Sequence, residues 1–108
     1  MMPKEGPEEK MVEAFILLRH SSERLRKEML KRIEAFGGAP LYTYPSGTII
    51  AKIPAGMVER LKGSEGIRSV DLDIIDEPRR RSASADAAFA MAAWNGHLKR
   101  RQGELSGR

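Results

Sequence analysis

Residues 12–19, Val-Glu-Ala-Phe-Ile-Leu-Leu-Arg, constrain this chain more than any other segment. Successive side chains of a strand point to opposite faces, so Ala14, Ile16 and Leu18 lie on one side and Phe15 and Leu17 on the other. Apolar groups on both sides make the strand central in its sheet and require a cover for each face.

The segments that follow supply one of those covers. Ser21 or Ser22 caps a helix with Glu23 in its first turn, and Leu25, Met29, Ile33 and Phe36 recur at helical spacing as one apolar stripe. Gly37-Gly38 ends that helix. Leu41 to Tyr44 and Thr48 to Ile53 are β-prone runs joined through Pro45-Ser46-Gly47, the pattern of a hairpin. Pro54 opens a second helix whose buried side is Met57, Val58 and Leu61, and residues 63–66 stop it. The last strand is expected over residues 67–75, with Val70, Leu72 and Ile74 on one face and Ser69, Asp71 and Asp73 on the other. The order is βαββαβ, which predicts an α+β, ferredoxin-like domain: a four-stranded antiparallel sheet with both helices on one face and a C-terminal extension.

Composition divides the chain into a flexible N-terminus at residues 1–11, this domain at 12–77 and a basic, alanine-rich tail at 78–108. Residues 1–77 carry 12 Lys and Arg against 13 Asp and Glu, whereas residues 78–108 carry 7 against 2, so the net charge of +4 comes from the tail. A basic face on the folded domain is therefore not indicated, which argues against nucleic acid as a partner. Cysteine is absent, and His20 and His97 have no metal-ligand spacing, so neither metal nor cofactor is expected. The first residues carry no signal-peptide pattern and no stretch is long enough to span a membrane. The expectation is a cytoplasmic protein, or a secreted one if cut from a longer precursor. Alanine fills seven of the eleven positions from Ala83 to Ala93, and Ala87, Met91, Trp94 and Leu98 share a helical face; glycines at 96, 103 and 107 predict fraying or disorder from about Gly96.

The chain carries no phosphate loop, no nucleophile elbow and no His or Cys paired with a base by a known motif, so an enzyme is not expected. Arg19-His20-Ser21 follows the first strand, where small phosphatases of ferredoxin-like fold cradle phosphate with an arginine. That loop lacks glycines, and the only asparagine, Asn95, is in the tail.

Gly47 to Pro54, then the helix with Leu61, then Ile67-Arg-Ser-Val-Asp-Leu-Asp73, resemble the second half of the propeptide-type inhibitors of subtilisin-like proteases. Ile49, Ala51, Ile53, Leu61, Ile67, Val70, Asp71 and Asp73 fall on that family's pattern, and the resemblance extends over roughly residues 12–77. It implies an inhibitor, or an inhibitor and folding chaperone, of a subtilisin-like serine protease. The open sheet face, with Phe15, Leu17, Ile50, Asp71 and Asp73, would dock on the protease. The segment Ile74, Ile75, Asp76, Glu77, Pro78, Arg79 would lie in the substrate cleft. The thirty or so residues beyond that segment, and its proline and arginines, depart from the family's pattern. The alternative is an interaction or regulatory module that self-associates through its sheet as a homodimer, with no protease partner. The cover over Phe15, Leu17 and Ile50 is open between a partner protein, a second copy, and the chain's own Met91, Trp94 and Leu98.

Overall fold

In the computed structural model, which describes residues 10–106 in backbone and 10–102 in side chains, the strand with two apolar faces is β1, Met11–Leu18. The rest of the N-terminal segment lies outside the described residues. The elements that follow are α1 (Glu23–Ala35), β2 (Ala39–Tyr44), β3 (Thr48–Pro54), a 3₁₀ turn (Ala55–Met57), α2 (Val58–Lys62), β4 (Ile67–Asp71), α3 (Glu77–Arg81) and α4 (Ala85–Ser106).

The four strands form one antiparallel sheet in the order β2-β3-β1-β4, so β1 and β3 are central and β2 and β4 are edges. This is the ferredoxin-like α+β fold with a C-terminal helix added. Between β1 and β3 the register pairs Ala14 with Ala51, Phe15 with Ile50 and Ile16 with Ile49. Gly47 closes the β2–β3 turn at φ +88°, where a Cβ would stand 2.9 Å from the His20 carbonyl oxygen. The turn thus packs on the end of β1, and the Leu18 amide donates to the Gly47 carbonyl at 2.7 Å.

Ser22 is the residue that caps α1, its Oγ accepting from the Leu25 amide at 3.1 Å. Met29 and Ile33 of α1 and Val58 and Leu61 of α2 are buried against Ala14, Ile16, Leu18, Ile49, Ala51, Ile53, Ile67 and Val70. At roughly 1.5–3 kcal/mol for each large aliphatic side chain, this layer is the main stabilising cluster.

Beyond Asp71 the structure departs from expectation. The strand stops there rather than at residue 75, and Leu72 and Ile74, expected to share a strand face with Val70, are 40% and 45% exposed. The chain turns so that Ile75 is buried instead, beneath α4. Nor does α4 end near Gly96. A helical glycine costs about 1 kcal/mol, but its neighbours are both anchored, Asn95 to Ile75 and His97 to Glu13, and the helix continues to Ser106.

Candidate functional site

The second face of the sheet is covered by the chain itself. Ala87, Ala90, Met91 and Trp94 recur at helical spacing on α4 and pack on Phe15, Ile50 and Ile75, with Leu17, Tyr44, Ala83 and Leu98 at the margin. The small alanines let the helix backbone approach, and Trp94 fills the remaining depth at 0% exposure. Its ring lies 6.1 Å from that of Phe15, tilted by 46°. The expectation of an open apolar face is thereby corrected. Phe15, Leu17 and Ile50 are brought together on one face as predicted, but Phe15 is fully buried under α4.

Polar contacts fix the helix in place. Trp94 Nε1 donates to the Asp73 carbonyl at 2.9 Å. The Asn95 side chain accepts from the Ile75 amide at 2.8 Å and donates to the Ile75 carbonyl at 2.9 Å, so it pairs with that residue as a neighbouring strand would. At the far end, Glu13 Oε1 lies 2.8 Å from His97 Nε2 and accepts from Arg101 Nη1 at 2.6 Å. Burial alone would raise the Glu13 pKa, but the hydrogen bonds from His97 and Arg101 together with their charges outweigh it and hold it below the ordinary value. Asn95, His97 and Glu13 were not singled out for this role from the sequence. One signal was present: a lone asparagine on the Trp94 side of an alanine-rich helix.

The segment expected to lie extended in a protease cleft is folded. Ile74 is exposed and Ile75 buried. Asp76 caps α3, its Oδ1 accepting from the Arg79 amide at 3.1 Å, and Glu77, Pro78 and Arg79 form the first turn. Arg79 reaches back to Asp71 with two bonds, Nη1 to Oδ1 at 2.7 Å and Nη2 to Oδ2 at 3.0 Å, and Nη2 also donates to Ser69 Oγ at 3.3 Å. The Asp71 hydrogen bond is the main reason that the Arg79 guanidinium is even more firmly protonated than usual. Asp71 is thus engaged within the chain rather than presented to a partner. The Asp73 side chain is exposed, and its carbonyl serves Trp94.

Two features remain open. Arg19, His20, Ser22, Lys62 and Glu65 line a cleft of about 760 Å3 between the β1–α1 and α2–β4 loops. Asn95 is on the opposite side of the sheet, so the loop and the asparagine do not converge as a phosphate cradle requires. The other feature is the edge at β2, Ala-Pro-Leu-Tyr-Thr-Tyr, which carries no charge. Tyr42 is 57% exposed, and Phe89 of α4, 69% exposed, meets Tyr44 edge-on with ring centroids 6.4 Å apart. The opposite edge, β4, carries Arg68 and Asp71. Among the described residues no three His, Cys, Asp or Glu side chains are grouped to hold a metal ion, and no helix is long and apolar enough to cross a membrane.

Compared with models of known protein families and with curated proteins, the chain matches none.

Proposed function

We propose that this chain is a protein-interaction module that joins a second copy of itself through the free edge of β2. The observation that carries the reading is the contrast between the two sheet edges. An edge strand offers unpaired amides and carbonyls, and folded proteins ordinarily protect it with charge. Here β4 has charge and β2 has none, while Leu41, Tyr42 and Phe89 expose apolar surface beside it. Two β2 strands related by a twofold axis pair antiparallel without bringing like charges together. Pro40 lacks an amide donor and the register shifts between Pro40 and Tyr42, which confines the pairing to residues 41–44. Such a short seam suits a reversible dimer. Sedimentation equilibrium over a range of concentrations tests it: a monomer–dimer equilibrium is expected, and Tyr42→Lys shifts it to monomer with the fold retained. A chain that stays monomeric at millimolar concentration ends the reading.

A second reading, a propeptide-like inhibitor of a subtilisin-like serine protease, is favoured by one observation. The sheet face opposite α1 and α2 is a continuous apolar layer shaped to receive a helix, and it holds α4. For that face to meet a protease, α4 has to leave. Under this reading inhibition of a panel of subtilisin-like proteases, basic-specific ones included, rises when Trp94→Ala loosens α4. No inhibition by either form removes it.

A further inference from the structure

We propose that the peptide bond between Arg81 and Ser82 is a processing site for an arginine-selective protease, and that cutting it uncovers the Phe15–Ile50 face of the sheet. The inference rests on neither functional reading, since it needs only the covering helix and the link that leads to it.

That link is unusual in this chain. Arg79-Arg80-Arg81 stands between the last strand and α4, and residues 82–84 after it are turn and coil. Arg81 and Ser82 are exposed, and none of the five residues of α3 is buried. A helix this short has no stability of its own. It is held by the Asp76 cap, by Arg79 on Asp71, by the exposed pair of Arg81 with Glu77 at 3.0 Å and by Ser82, whose amide and Oγ both donate to the Pro78 carbonyl, at 3.2 and 2.9 Å. A protease takes its substrate extended, so the cost of presenting this bond is the melting of one weak turn. Basic residues elsewhere in the domain are tied to the core. Arg19, exposed in the β1–α1 loop, has its amide on the Gly66 carbonyl at 2.8 Å. Arg60 and Lys62, exposed on α2, belong to a helix that buries Val58 and Leu61, whereas α3 buries none of its residues. Lys52 and Arg68 are within strands and Arg24 to Arg32 within α1, where extension breaks the sheet or the main helix.

The chemistry is hydrolysis and is balanced by one water. The water oxygen joins the carbonyl carbon of Arg81, the C–N bond to Ser82 breaks, Arg81 ends in a carboxylate and the Ser82 nitrogen becomes an ammonium group. Selectivity comes from a carboxylate at the base of the protease's primary pocket, which pairs with the Arg81 guanidinium. Arg80 adds a second cation that acidic flanking subsites accept.

The cut changes how α4 is held. In the intact chain the helix docks within one molecule, at an effective concentration on the order of millimolar. After hydrolysis it must bind as a separate peptide, and an isolated helix interrupted by Gly96 and Gly103 is only partly formed. Trp94, Met91 and the Asn95 bonds to Ile75 then act against the full cost of ordering and association. The part before the cut keeps all four strands, α1, α2 and their shared core. What it loses is the cover over Phe15, Ile50 and Ile75, leaving an apolar face ready for another occupant.

Limited trypsin digestion of the full chain, followed by intact mass and size exclusion, tests the proposal. Trimming at either end is set aside, and the first cut between Met11 and Leu98 is expected after Arg81. The two products are expected to separate on the column, with Trp94 emission shifting to the red. Arg80→Gln with Arg81→Gln slows that first cut by at least about tenfold, with circular dichroism unchanged. A first internal cut elsewhere, or an unchanged rate in the double variant, overturns the site. Products that co-elute with unshifted Trp94 emission overturn the uncovering.

Discussion

The side chain of Asn95 satisfies both backbone polar groups of Ile75, accepting from its amide at 2.8 Å and donating to its carbonyl at 2.9 Å. One helix side chain thus does for the chain after β4 what a further strand would do, and it does so while buried in the α4 interface. A residue that has left the sheet keeps its hydrogen bonds without water.

Asn95→Ala is therefore expected to cost about 2–4 kcal/mol, because two buried backbone groups lose their partners at about 1–3 kcal/mol each and solvent recovers part of it. Urea denaturation measures the loss. Asn95→Asp keeps the acceptor but sets an oxygen against the Ile75 carbonyl, and is expected to be no better than alanine. A loss below about 0.5 kcal/mol for both would mean that the pairing contributes nothing.

Phe15→Asp places a charge against Trp94 in a layer closed to water. The expected result is release of α4 with the rest of the domain folded, seen as lost hydrogen-exchange protection over residues 85–102 and retained protection in α1. Trp94 is the only tryptophan, so its fluorescence reports the same event. Protection retained in α4 would contradict the packing described for this face.

Ile33 belongs to the other layer, buried by α1 against the sheet. Ile33→Ala is expected to cost about 2–4 kcal/mol, out of the roughly 5–15 kcal/mol that holds a domain of this kind together. It should lower the unfolding midpoint without first loosening α4, the reverse of the Phe15→Asp signature.

Glu13 gives the α4 interface an acid dependence. Its folded-state pKa lies below the ordinary 4.5, so its contribution is present above that value and is lost as pH falls through the depressed folded-state pKa. Stability measured from pH 6 downward should fall more steeply in the wild type than in Glu13→Gln. Parallel curves would show that the contacts from His97 and Arg101 give no net linkage.

The fold was legible because β1 to β4, α1 and α2 each announce themselves by local periodicity. Ala14, Ile16 and Leu18 alternate, Met29 and Ile33 recur at helical spacing, and Gly47 marks the turn. The stripe of Met91, Trp94 and Leu98 was equally visible, but periodicity shows that a face is apolar and not what it meets. The tie that decides the matter comes from Asn95, whose hydrogen bonds to Ile75 reach across twenty positions and leave no local pattern. The end of β4 was overextended for a related reason. Alternation continues through Leu72 and Ile74, yet the backbone leaves the sheet at Asp71, where Arg79 ties the chain back.

The position of α4 after every strand has a consequence for synthesis. A ribosome delivers all four strands before α4, so Phe15 and Ile50, paired in the folded chain, are made ahead of the segment that shields them. For that interval the nascent chain presents a greasy surface to the crowded space around it, and encounters made then compete with the helix that arrives later.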